Sequence, residues 1–152
     1  MALFLSTYIN KIDRKGRVSV PASFRAALAG QEFPGVIAYR ALKLPAIDAS
    51  GIDRLEELTD RLDGLPEFSE EREALASILP DSQQLAFDSE GRIILPAALL
   101  DYAKITENAA FVGQGRTFQI WEPERFTRHQ ADMRERALVR GLTLPPRAAP
   151  PK

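Results

Sequence analysis

Three cations crowd one short stretch of the sequence: Arg14, Lys15 and Arg17 fall within Asp13-Arg14-Lys15-Gly16-Arg17. Lysine offers a point charge to a phosphate oxygen, and arginine a planar fork that suits phosphate or the acceptor edge of guanine. The chemistry open to such a cluster is non-covalent: holding a phosphate backbone and touching bases in a groove. The same residues also fit a plainer reading, solvated charge at a turn with Arg17 bonded to Asp13. No constellation of side chains for covalent or metal chemistry is read elsewhere. Cysteine is absent, which excludes thiolate ligands, disulfides and a cysteine nucleophile. His129 is the single histidine, has no further ligand at a metal-binding spacing, and is read as a solvated helix residue. Gly113-Gln114-Gly115 lacks the third glycine, the following helix and the later acid of a dinucleotide loop, and no Walker loop or nucleophile–base pair occurs. The expectation is a protein that is not an enzyme, with no cofactor, no metal and no small-molecule substrate.

A net charge of −1 argues at first against a nucleic-acid partner, but the charge is unevenly placed. Residues 1–43 hold seven Lys/Arg and two acids, and the remainder of the chain carries the compensating acidic excess. A phosphate backbone meets the local field, because exposed charges beyond about 8 Å are largely screened at physiological salt. A basic head on an acidic body is compatible with binding DNA through one face.

The elements that position the cations are read from a repeat. Residues 12–22 run Ile-Asp-Arg-Lys-Gly-Arg-Val-Ser-Val-Pro-Ala, and residues 87–97 run Phe-Asp-Ser-Glu-Gly-Arg-Ile-Ile-Leu-Pro-Ala. At a constant offset of 75, Asp13, Gly16, Arg17, Pro21 and Ala22 meet Asp88, Gly91, Arg92, Pro96 and Ala97. Two copies of one supersecondary unit explain this. In each, Asp-x-x-Gly places an Asx residue at the start of a type I turn and a glycine at its end, where a positive φ is often needed. Strand-like residues flank the first turn at 7–12 and 17–20, and Val18-Ser19-Val20 alternates as a half-buried strand does. Proline then ends the strand and opens a short helix, over 22–28 in the first copy and 97–103 in the second. Further strands are predicted at 36–39, 110–112 and 117–121, the last two joined by a hairpin turn around Gly113 and Gly115.

Helices follow each unit. Ile52, Leu55, Leu58 and Leu62 recur at helical spacing; a second helix begins near Ser69 and carries Leu75, Ile78 and Leu79; a third runs from about Pro123 to Gly141. The predicted organisation is a first module at 6–50, a helical insertion or linker at 51–80, a second module with its C-terminal helix at 82–140, and a proline-rich disordered tail at 141–152. Neither a signal peptide nor a membrane span is read, so a cytoplasmic protein is expected.

On these residues the chain resembles the MraZ family, within the wider AbrB/SpoVT-like group of swapped-hairpin DNA-binding modules. The family's Asp-x-x-x-Arg motif, with Gly before the Arg, stands here twice, as Asp13…Arg17 and Asp88…Arg92. Residues 12–25 and 85–121 match well, including Val112-Gly113-Gln114-Gly115 and Ile120-Trp121, whereas residues 41–52 match poorly and Leu100 stands where the second half often has arginine. The resemblance implies an α+β, β-rich fold of duplicated AbrB-like half-barrel modules with an internal pseudo-two-fold repeat and added helices. It further implies a ring-like homo-oligomer, associated with the nucleoid, that binds repeated double-stranded promoter sites of the division and cell-wall gene cluster, usually as a repressor. An antitoxin-like or ring-forming interaction module of the same fold is the alternative.

The two copies differ at their tips. Ser89 and Glu90 replace Arg14 and Lys15, so the second tip loses two cations and gains an anion. Arg14, Lys15 and Arg17 are accordingly expected to bind DNA. Asp13 and Gly16, with Asp88, Gly91 and Arg92, are expected to hold the hairpins or an interface.

Overall fold

The computed structural model describes residues 2–147. The chain runs β1 (Thr7–Lys11), β2 (Arg17–Ser19), α1 (Ala22–Ala27), β3 (Gly35–Arg40), β4 (Ile47–Ser50), α2 (Ile52–Leu62), α3 (Glu70–Ala76) and α4 (Ile78–Asp81). The second half continues with β5 (Gln83–Ala86), β6 (Arg92–Ile94), α5 (Ala97–Ala103), β7 (Asn108–Gly113), β8 (Phe118–Trp121) and α6 (Pro123–Arg140). The fold is thus α+β and β-rich. Among the described residues, no helix is long and apolar enough to cross a membrane.

The repeat is built into the topology. Six antiparallel strands line up as β1-β7-β8-β4-β3-β5, while β2 and β6 form a separate two-stranded ribbon. Exchanging the halves (β1 with β5, β3 with β7, β4 with β8) reverses that order and leaves it unchanged, which is the signature of a pseudo-two-fold axis between β4 and β8. Each half's first strand pairs with the other half: Thr7 stands opposite Val112, and Ala86 opposite Gly35. The halves are interleaved rather than set side by side.

Apolar alternation explains the layers. Ala109, Phe111, Phe118, Ile120, Ile47 and Ala49 project from one face of the sheet into the main core, where Val18, Ile93, Phe24 and Leu99 meet them from the ribbon, α1 and α5. Ala110, Val112 and Trp121 project from the opposite face and are covered by Phe126 of α6. Burial on both faces is why Ala109-Ala110-Phe111-Val112 reads as an unbroken apolar run. Phe24 is completely buried, with the rings of Phe4, Tyr8, Phe111 and Phe118 at 5.2, 5.6, 6.4 and 5.0 Å.

Three details depart from the sequence reading. Residues 41–52, which match the family poorly and for which no strand is predicted, include β4, hydrogen-bonded to both β3 and β8. The helix expected from Ser69 through Leu79 breaks at Ser77 into α3 and α4. Pro80 has no N–H to give the Ala76 carbonyl and its ring crowds that turn, while the Ser77 hydroxyl donates to the Ala74 carbonyl at 2.6 Å. His129 is not a free solvated residue: its ring stacks on Trp121 with centroids 4.7 Å apart. Of the predicted tail, residues 142–147 form no regular structure and are exposed, and the rest lies outside the described residues.

One carboxylate sits awkwardly in this frame. Asp48 lies beside the pseudo-two-fold axis, opposite Gln119, whose amide donates to it at 3.0 Å. Burial raises its pKa above the usual carboxylate value, and the Gln119 bond only partly offsets that. A raised folded-state pKa means the ionised form is disfavoured by folding, a penalty present at neutral pH and absent below the ordinary value of about 3.9. Asp48→Asn, which keeps an acceptor for Gln119, is expected to raise the thermal midpoint at pH 7. Its advantage should vanish at about pH 3; an equal gain at both pH values would show that ionisation is not the cause.

Candidate nucleic-acid interface

The turn that carries the cations is braced by Asp13. Its Oδ1 accepts the backbone N–H groups of Lys15 and Arg17, both at 2.9 Å, and its Oδ2 accepts Arg17 Nε–H at 2.6 Å. Gly16 N–H closes the turn on the Asp13 carbonyl at 3.0 Å, with Gly16 at φ +82°. A Cβ there would also lie 2.9 Å from the Leu95 carbonyl oxygen, so both conformation and space call for glycine. Asp88 repeats the arrangement on Glu90, Arg92 and Gly91. Each carboxyl is held below the usual range, first by the backbone N–H of its arginine, then by the arginine side chain and the second N–H. A depressed folded-state pKa stabilises the hairpins above the ordinary carboxylate value, and that support is lost as pH falls through the folded one.

The two hairpins lock together. Val20 N–H donates to the Gly91 carbonyl at 3.2 Å and Leu95 N–H to the Gly16 carbonyl at 2.9 Å, the same bond made twice. In the ribbon, Val18 stands opposite Ile93, and both are 1% exposed, turned into the core. Arg17 stands opposite Ile94 and Ser19 opposite Arg92. Directly opposed residues share a face, so Arg17, Ser19, Arg92 and Ile94 all look outward, flanked by the exposed Arg14 and Lys15.

Sequence reasoning placed Arg17 at the tip with Arg14 and Lys15; the structure sets Arg14 and Lys15 on the turn and Arg17 at the foot of it, on the ribbon. Arg92, read as a structural residue, braces its own turn and also shares Arg17's face. The two arginines are not equivalent. Arg17 meets Asp13 through Nε, whereas Arg92 meets Asp88 through Nε and Glu90 through Nη2 at 3.2 Å. More of the first guanidinium is therefore left to an outside anion. One more cation of the basic head, not among the expected DNA-binding residues, reaches the hairpins. Arg25 of α1 bonds the Val20 carbonyl at 3.1 Å and lies over Gly91, where a Cβ would stand 2.7 Å from its Cδ. The only sequence signal was its counterpart Leu100, which offers no charge beside the first turn.

The geometry is a twisted two-stranded ribbon with a cationic outer face, a shape that the major groove of B-DNA admits. A sequence model of the family described as "MraZ protein, putative antitoxin-like" matches residues 78–140. The transcriptional regulator MraZ of Pelagibacter ubique (strain HTCC1062) is 52% identical over 143 residues, covering 93% of this chain and 92% of that protein. The chain belongs to the MraZ family. The transcriptional regulators MraZ of Rickettsia canadensis (strain McKiel) and Rickettsia typhi (strain ATCC VR-144 / Wilmington) are 44% and 45% identical over 145 residues, covering 95% of this chain and 97% of each. The match to the MraZ family model falls on the second half, with Asp88, Gly91 and Arg92, while the MraZ relatives match over nearly the full length.

Proposed function

We propose that this chain is a sequence-specific DNA-binding transcriptional regulator that represses the division and cell-wall gene cluster by occupying repeated promoter sites. The observation that carries the reading is the outward ribbon face, where Arg17 stands at the foot of a braced turn that bears Arg14 and Lys15. The first hairpin supplies most of the attraction to phosphate, and the second, tempered by Glu90, chiefly completes the ribbon. The names of the relatives support regulation of transcription.

One hairpin with about three cations holds DNA weakly and releases it as salt rises. Several copies facing repeats in helical phase turn later contacts into intramolecular ones, which can raise avidity by roughly 10²–10⁴. A ring-like homo-oligomer in the cytoplasm, associated with the nucleoid, provides that valence. In keeping with self-association, β1 and β5 end the sheet, each with one edge lacking a strand neighbour among the described residues.

The test is fluorescence anisotropy with duplex DNA from upstream of the protein's own gene and an unrelated duplex, at about 50 and 200 mM salt. Salt-sensitive binding that prefers the upstream duplex, lost in Arg17→Ala with oligomer mass unchanged, is expected. Wild-type protein that bound neither duplex at low salt would remove DNA recognition from the account.

A further inference from the structure

Ile94 is out of place. It is 57% exposed on the outward, arginine-bearing face of the ribbon, directly across from Arg17 and two residues from Arg92. Single exposed apolar side chains are common on protein surfaces and ordinarily need no account; three observations set this one apart. First, its orientation is fixed. Ile93 and Leu95 on either side are 1% and 2% exposed, and the Leu95 N–H is bonded to the Gly16 carbonyl, so the strand cannot slip to bury Ile94. Second, packing does not require an apolar group there. The pseudo-symmetric position in the other ribbon strand is Ser19, also exposed and outward-facing. Third, the other three outward positions of the ribbon are Arg17, Ser19 and Arg92, all hydrogen-bonding side chains.

We propose that Ile94 is a specificity-determining residue that packs against the C5-methyl group of a thymine in the major groove. This rests on the regulator reading. Among base edges in that groove, the thymine methyl is the apolar group, and it is read by contact with an apolar side chain. Cross-strand Cβ atoms lie about 4.5–5.5 Å apart, so Ile94 addresses a base next to whatever Arg17 touches, and the pair reads adjoining features of one short sequence. At the other end of the ribbon, Ser19 and Arg92 present only polar groups. The two pseudo-symmetric ends therefore differ in what they read as well as in charge, and Ile94 selects bases while adding nothing to phosphate attraction.

The experiment is a coupling cycle with the full-length protein. Each thymine of the upstream duplex is replaced singly by deoxyuridine, which removes only the methyl group, and affinities are measured for wild type and Ile94→Ser. At one or two thymines, deoxyuridine is expected to weaken wild-type binding by about fourfold, the effect of uncovering one carbon, and to have no effect on Ile94→Ser. The dependence of affinity on salt should be the same for both proteins, because no phosphate contact is lost. Ile94→Thr keeps a methyl group and is expected to retain part of the discrimination. Thermal melting and oligomer mass should match wild type, as serine already occupies the equivalent position 19. If wild type binds the duplex but no thymine is coupled to residue 94, the proposal fails and the regulator reading stands. The same holds if Ile94→Ser weakens all duplexes alike together with a change in oligomer mass, which would make Ile94 an assembly contact. If wild type binds no DNA, both fall.

Discussion

Removing the two tip cations together, as Arg14→Ala/Lys15→Ala, is expected to weaken binding to every duplex and to flatten its salt dependence while leaving the fold untouched. Each phosphate contact contributes about 0.9 to the slope of log affinity against log salt, so the slope should fall by about 1.8 for every hairpin engaged on the DNA. With several hairpins on one site the loss multiplies, because avidity rests on each contact in turn. The double variant is a sharper probe of charge than Arg17→Ala. Arg17 closes the Asp13 brace, whereas Arg14 makes no side-chain bond among the described residues and Lys15 enters the brace through its backbone N–H. Glu90→Ala supplies the opposite sign: it removes an anion from the second tip and frees Nη2 of Arg92, so affinity should hold or rise. Salt titrations by anisotropy on the three proteins decide the matter. An unchanged slope in the double variant would mean the first tip does not meet phosphate; loss of binding in Glu90→Ala with oligomer mass intact would overturn the unequal roles of the two hairpins.

Phe24→Ala is expected to have the largest effect on stability of any change near the interface. A fully buried phenylalanine replaced by alanine costs about 3–5 kcal/mol, a large share of the 5–15 kcal/mol typical of a folded domain. For a chain of this size that corresponds to a fall in midpoint on the order of 10 °C. The position matters as much as the volume. Phe24 stands on α1, immediately after the first hairpin, and its aromatic neighbours come from the N-terminal segment, β1, β7 and β8. Truncating it loosens the first half from the second. Phe68→Ser is the control: that ring is 89% exposed, and its loss should shift stability by no more than about 0.5 kcal/mol. Urea denaturation of both variants measures the difference, and a Phe24→Ala loss below about 1 kcal/mol would show that the site collapses to fill its cavity.

The hairpins were legible in the sequence because their determinants are local. Asp13 and Gly16 set a turn whose geometry depends on four residues, Pro21 and Pro96 mark helix starts, and the same signals occur twice. The possible Asp13–Arg17 bond was legible for the same reason. What stayed hidden was pairing at long range. Alternation in Val18-Ser19-Val20 says which side chains share a face but not which strand lies alongside, so the exchange of β1 and β5 between halves could not be read. The common face of Arg17 and Arg92 depends on that cross-strand register, and Arg92 was therefore assigned a structural part alone. Strand β4 escaped for another reason. In Ile47-Asp48-Ala49-Ser50 only the isoleucine favours a strand, and the segment is held there by β3 and β8 on either side. The stacking of His129 on Trp121 likewise joins a helix to a strand and leaves no periodic trace.

Reciprocal exchange of strands has a consequence for how the chain is made. Thr7 finds its sheet partner in Val112, so at ordinary elongation rates the opening strand spends on the order of 10 s outside the ribosome before that partner has been synthesised. For most of that interval β1 and β2 lack their partners β7 and β6, and the acidic helices α2 and α3 are translated before β7 and β8 complete the sheet. The pairings that join the two halves are distant in sequence, the slow kind of contact to make. Two chains growing on one message present each other with the same vacancies that each will later fill for itself. A covalently joined pair of halves resolves this competition in its own favour, since the second half arrives tethered and at high local concentration. The duplication thus secures for one polypeptide a pairing that two separate subunits would have to find by collision.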